Sequence, residues 1–348
     1  MIKKSINEPY VSVKRYWTKG KLADFSVCER RYYYAYVRKE KTPTTGPQAL
    51  GIYSHLRFKE FFDEREKYKT AEEFVQASIG RWNRIIHGKS IQGRQITLTR
   101  EGEAYELTAA LKKILTNFYS YYSERNSPEL TEHDFRIYDA NLNLGFNGKM
   151  DSLQNAAGDD LENKDAKILL TDYKTGKFLS ESRDLDLELI IYRLASASII
   201  LKNTYKNKFG FSRDEVDKLR SINGLIESIE ARIHNVRMNE IYTARINPSI
   251  LNEFFIQVQQ KNKQIDEIET REDYAKSPFD YPANWAACDA CSFRDICHKE
   301  TRNKEKLEYD LQYTTLFNLE EMERKRKNNR ESYELAGQIK LIPQQDVP

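Results

Sequence analysis

Apolar and polar residues alternate through FRIYDANLNLGFNGKMDSLQ (135–154), with Asn and Gly marking the turns. A period of two belongs to strands, so this segment predicts short paired strands. The polar stretch NAAGDDLENKD (155–165) predicts a long hairpin loop into the next strand, ILLTDYKTGK (168–177). Upstream the apolar spacing is helical. It predicts a helix over 24–37 capped by Asp24 or Ser26, a loop at TPTTGP (42–47) and a second helix from about Ala49 that carries His55. A helical pattern follows from Ala71 to about Arg125, broken at HGKSIQG (87–93). Downstream, helices are expected over 184–203, 213–238 and 248–268, the last capped by Asn247, with a strand at EIYTARI (240–246). The order of helices, clustered strands, helix and strand predicts an α/β core: a mixed sheet flanked by helices.

The chain has 348 residues, 39% hydrophobic and 31% charged, which suits a large globular protein with a charged surface. The most apolar helical stretch, LELIIYRLASASIIL (187–201), is interrupted by Glu188 and Arg193, so no membrane span is expected. MIKKSINEPYVSVKRYW has no apolar secretory segment, and the expected compartment is the cytoplasm. A net charge of +3 does not by itself force a nucleic-acid partner. KRYWTKGK (14–21), RRYYYAYVRKEK (30–41) and KNTYKNK (202–208) do interleave cations with aromatics, a composition that suits phosphate contact and base stacking. Core packing competes with that reading, because Phe25, Cys28, Tyr32 and Tyr36 share one face of the expected helix.

The sharper chemistry lies in the strands. Along ILLTDYK, Ile168, Leu170, Asp172 and Lys174 share a face, so a carboxylate and an ammonium emerge together at the end of an apolar strand. Asp-x-Lys alone occurs often as a surface pair of little energetic weight. Here FNGKMD places Asp151 at the end of the preceding strand, and a hairpin lets the two aspartates converge. Paired carboxylates repel, and a hard divalent cation such as Mg²⁺ or Mn²⁺ relieves the repulsion while leaving positions for phosphate and water. A lysine beside that ion orients the water or offsets developing charge. Glu132 is an accessory candidate, though a solvated charge at a strand entry is the commoner case. Among the histidines, His87, His133, His234 and His298 have no motif context.

Cys288, Cys291 and Cys297 form C-x2-C-x5-C, and Cys28 is the fourth and last cysteine. In a reducing compartment this spacing points to a metal centre, either tetrahedral zinc or an iron–sulfur cluster. His298, next to Cys297, is a substitute candidate for a zinc site, though an exposed neighbour is the commoner case. A link between such distant positions stabilises by about 5 kcal/mol of chain entropy.

With these residues in view, the chain resembles the iron–sulfur branch of the PD-(D/E)XK nucleases, the nuclease domains of RecB- and AddB-type helicase–nucleases and the CRISPR-adaptation exonucleases. FSVCERRYYYAYV resembles that family's opening helix, GIYSH (51–55) its Gly-x-x-x-His element, FNGKMD and LLTDYKTGK its two catalytic strands, and CDACSFRDIC its closing cysteine triad. The resemblance implies a restriction-endonuclease-like α/β core with helical insertions and a four-cysteine centre, over a nuclease domain of residues 1–299 with an insertion at about 61–130. Residues 300–348 are expected to form a charged helix or tail. It implies His55, Asp151, Asp172 and the Tyr173 carbonyl as ligands of Mg²⁺ or Mn²⁺, Lys174 beside the attacking water, and Cys28, Cys288, Cys291 and Cys297 around a [4Fe–4S] cluster, with zinc the alternative. Glu188 stands where the family has glutamine, and Tyr192 keeps its tyrosine; both are expected to position metal or substrate. The implied activity is a metal-dependent deoxyribonuclease, an exonuclease on single strands or DNA ends in repair, recombination or defence, with a helicase or other DNA-processing protein as partner and no membrane. The rival readings are a non-catalytic DNA-binding subunit of a helicase–nuclease complex and a zinc-stapled RNA-processing nuclease. No P-loop sequence is present, so no motor activity is expected of this chain.

Overall fold

The computed structural model describes residues 15–139, 144–156, 161–162, 164–177, 182–202, 209–269, 281, 283–284, 287–288 and 291–300. Its main sheet is organised around the long strand β6 (Leu144–Asn155). β5 (Leu130–Asp139) runs antiparallel along one edge of β6. The other edge is shared: β1 (Tyr16–Trp17) pairs parallel with its first half, and β7 (Ile168–Lys174) antiparallel with its second. β8 (Ile229–Asn235) continues parallel to β7, and β9 (Glu240–Thr243) closes antiparallel on β8. The sheet is therefore mixed, as the sequence predicts.

Alternation along β7 separates two apolar layers. Ile168 and Leu170 join the cluster built with α1 (Lys19–Val27), α6 (Ser182–Leu201) and α9 (Pro248–Glu269). Tyr173 and Val236 join the cluster built from α3 (Gly46–Asp63), α4 (Ala71–His87) and α5 (Glu103–Tyr122). In that second layer Phe58 and Phe118 stack with ring centres 4.0 Å apart. A small sheet of β2 (Thr44–Thr45), β3 (Ser90–Ile91) and β4 (Arg94–Thr97) lies beside it. The break expected at 87–93 is thus the first half of a β-hairpin.

Two helix expectations are corrected. The helix expected over 24–37 starts earlier, at Lys19, where the Thr18 hydroxyl accepts from the Lys21 amide. It then breaks at Cys28, whose backbone is extended (φ −164°, ψ 115°), before α2 (Glu29–Tyr32) and a π-turn at Tyr33–Val37. The helix expected over 213–238 is two short helices, α7 (Arg213–Lys218) and α8 (Ile222–Ser228), followed by the buried strand β8. The loop expected at 42–47 is strand β2 and the first turn of α3. Thr45 and Gln48 form a reciprocal capping box there, and Pro47 sits in the opening turn, where it needs no hydrogen-bonded amide. Among the described residues no helix is long and apolar enough to cross a membrane. The tail from residue 301 onward lies outside the described part of the chain.

Candidate active site

Strand register brings the carboxylates together. β5 and β6 pair Thr131 with Ser152 and His133 with Met150, which sets Glu132 opposite Asp151. β6 and β7 pair Ser152 with Thr171 at the end of their ladder, and Asp151 and Asp172 are the next residues on the two strands. Three acidic side chains thus form a row across three adjacent strands. Like charges facing one another across a strand pair are destabilising unless a cation intervenes. Asp151 is held in place by the Tyr173 amide, which donates to its Oδ2 at 2.7 Å. Burial raises its pKa, the His55 charge opposes that rise, and the Asp172 charge adds to it. Glu132 has φ +47°, a left-handed conformation that is uncommon for a non-glycine residue within a strand. On β6, Gly148 lies directly opposite Phe135, and a Cβ there would meet the Phe135 ring at 2.9 Å. That contact accounts for the glycine three residues before Asp151.

α3 delivers His55 onto this row. Its Nδ1 lies 3.1 Å from Glu132 Oε1 and 3.2 Å from Asp151 Oδ1, and its Nε2 lies 3.1 Å from the Tyr173 carbonyl oxygen. Both ring nitrogens face acceptor oxygens, an environment that favours the protonated ring. Burial pulls the His55 pKa down, but Asp151 and Glu132 together hold it well above the ordinary value. One donor atom from each of His55, Glu132 and Asp151 falls within 4.8 Å of the others, a spacing that one cation can bridge. Asp172, 4% exposed, places Oδ2 2.6 Å from Lys174 Nζ. The donors are oxygens and one imidazole, a set that fits Mg²⁺ or Mn²⁺ rather than a thiophilic metal.

The remaining expected positions divide. Tyr192 of α6 is close enough to Asp172, Asp151 and Glu132 for their charges, after burial, to raise its hydroxyl pKa. Glu188 is on the same helix, but its side chain lies outside the described part. Lys19, at the start of α1, was not singled out by its sequence context. Lys19 lies close enough to Asp172, Lys174 and Asp151 for their charges to act on it. Burial and the Lys174 ammonium lower its pKa to about 7 against the pull of Asp172. Glu132 is a member of the site rather than a solvated strand-entry charge.

The cation–aromatic patches serve mostly the fold. Arg15 binds Asn262 and Asp266 at 3.0 and 3.2 Å, Trp17 is fully buried, and Arg30 donates to the Tyr281 carbonyl at 3.1 Å. The third patch, KNTYKNK, lies outside the described residues from 203 onward.

All four cysteines line a single cavity together with Arg30, Arg31 and Arg294. They do not close on one another: among the described residues no three thiols come within the 4.8 Å that unites the His55 group. The Asn284 amide donates to Cys28 Sγ at 3.4 Å. Burial, with the other three thiols adding to it, pushes the Cys288 pKa up to about 11, and burial also raises Cys297. Around the cavity Tyr34 stacks on Phe293 at 5.9 Å and donates to Glu300, so the opening helices hold the closing segment, including α10 (Arg294–Glu300).

Residues 16–298 match the family model described as PD-(D/E)XK nuclease superfamily. None of the curated proteins matches the chain significantly.

Proposed function

The chain belongs to the PD-(D/E)XK nuclease superfamily, whose members are metal-dependent nucleases acting on DNA, and on that premise we propose an exonuclease acting on single-stranded DNA or DNA ends. The observation that supports it most is the row Glu132, Asp151 and Asp172 with His55 at one end and Lys174 at the other. His55, Glu132, Asp151, Asp172 and the Tyr173 carbonyl would hold Mg²⁺ or Mn²⁺. When bound, the cation supplies Lewis acidity toward the phosphate and its attacking water. His55 must give up a ring proton to act as a ligand, and Asp151 must be ionised. Lys174, anchored on Asp172, orients the water and offsets charge that grows on the phosphate as it is attacked. Tyr192 positions the substrate from α6, and Glu188 is assigned the same task.

The four thiols are assigned a structural [4Fe–4S] cluster that ties the opening helices to the end of a nuclease domain of residues 1–299. All four thiols line one cavity, which supports a shared centre. Absorbance near 400 nm after anaerobic purification supports the cluster, and stoichiometric zinc in colourless protein contradicts it. The assigned setting is repair, recombination or defence in the cytoplasm, alongside a helicase or another DNA-processing protein. Exonucleolytic action is tested with linear and circular single-stranded DNA of one sequence. Loss of the linear form alone is the expected result, and equal loss of the circle overturns it.

A further inference from the structure

One face of the sheet lies open beside the acidic row. Trp17, Phe135, Leu144, Phe146 and Met150 belong to the apolar layer of α1, α6 and α9. Alternation along β1, β5 and the first half of β6 therefore turns Tyr16, Asp134, Arg136, Asn147 and Lys149 to the opposite side. There Asp134, Arg136 and Lys149 are exposed, and Tyr16 is half-buried. Glu132 and Asp151 continue the same alternation on β5 and β6, so this face runs directly into the acidic row. Lys149 stands at the junction, with Nζ 3.6 Å from Glu132 Oε2.

The far end of the face is a stack of three layers. Tyr16 pairs with Gly145 across β1 and β6, and a Cβ on Gly145 would meet Tyr16 Cδ1 at 2.5 Å. The ring thus takes the space that a side chain at 145 would need. The Arg136 guanidinium carbon stands 3.8 Å from the centre of that ring and forms the layer toward solvent. A guanidinium is planar, stacks on aromatic rings and still offers N–H donors at its edge. Seated on Tyr16, Arg136 has already lost rotamer freedom that an exposed arginine would otherwise lose on binding.

We propose that this open face is a track for single-stranded DNA, with Arg136 on Tyr16 as the platform for one nucleobase and Lys149 as a phosphate contact beside the acidic row. The proposal rests on the nuclease reading above and gives its substrate a path. Charge complementarity supports it, because Arg136 and Lys149 outweigh Asp134 on the stretch between the platform and the row. Continuity supports it too: from Gly145 to Asp151 the strand spans about 20 Å, enough for several nucleotides. A planar cation on an open sheet suits unstacked bases, which a duplex does not present.

The test is equilibrium binding, in Ca²⁺ and across a salt series, of a fluorescein-labelled oligodeoxythymidylate and an abasic strand of equal length. Wild type is expected to prefer the thymidylate by about fivefold or more, the scale of one stacked base. Arg136→Lys keeps the charge and removes the plane, so it is expected to lose that preference and keep the salt slope. Lys149→Gln is expected to keep the preference, with a log–log salt slope shallower by about 0.7. Melting curves establish that both variants are folded. A wild type indifferent to the bases, or an Arg136→Lys with the full preference, overturns the platform. A Lys149→Gln with the wild-type slope overturns the phosphate contact. Wild-type protein that neither binds nor cleaves DNA removes the nuclease reading itself, whereas cleavage with no base preference removes only the track.

Discussion

Glu132 and Asp151 face each other across a strand pair, and the His55 ring reaches both carboxylates, a place that a metal cation can take over. Glu132→Gln is therefore expected to weaken Mn²⁺ binding by about tenfold or more in calorimetric titration. An unchanged affinity would remove Glu132 from the ligand set. Asp172 and Lys174 were legible in the sequence because their relation is local: two residues apart on a strand means one face. Glu132 was legible only as an accessory candidate, because its role depends on the β5–β6 register, a relation between strands that alternation along one strand does not fix. Lys19 was still less legible. The cation-rich stretch around it divides in space: Arg15 joins an ion pair with Asp266, Lys21 donates to the Tyr16 carbonyl, and Lys19 lies within reach of the site's charges.

β8 shows why an element can be misread. In IEARIHN the polar residues Glu230, Arg232 and His234 alternate with apolar ones but follow a helical stretch, and the run resembles one amphipathic helix. In the fold both faces of β8 are buried, and Glu230, Arg232 and His234 each find a partner inside the protein. Glu230 pairs with Arg232 at 2.5 Å, and Tyr122 Oη lies 3.0 Å from His234 Nδ1. Burial lowers the His234 pKa to about 4, so the unfolded chain takes up a proton before the folded one does. The contribution of neutral His234 to stability is whole above about pH 6.5 and is lost as pH falls toward 4. Between pH 7 and 5 this group is expected to cost the wild type about 2 kcal/mol, and His234→Asn is expected to lack that part of the slope. Denaturant titrations at the two pH values check it; parallel losses in both proteins would contradict it.

At the scale of the whole molecule, the sheet positions the catalytic row and the cysteine cavity joins the two ends of the matched region. The alternation and the helical spacing made the mixed α/β class legible. The cysteine spacing suggested a metal centre, whereas the break at Cys28 that turns its thiol into the cavity depends on contacts with residues far along the chain. Cys288→Ser is expected to abolish the 400 nm absorbance and lower the melting temperature by about 5–15 °C, the scale of a few kcal/mol in a domain of this size. An unshifted melt in protein that has lost the chromophore would contradict a structural role. The central claim is that the row of carboxylates, with its cation, hydrolyses DNA. Its most direct test is degradation of end-labelled single-stranded DNA by wild type and Asp172→Ala, each with Mn²⁺ and with chelator. The account predicts cleavage only by wild type with Mn²⁺, and at least about a thousandfold loss in Asp172→Ala. Cleavage that survives the chelator or the substitution, or an inert wild type with its cluster in place, would contradict it.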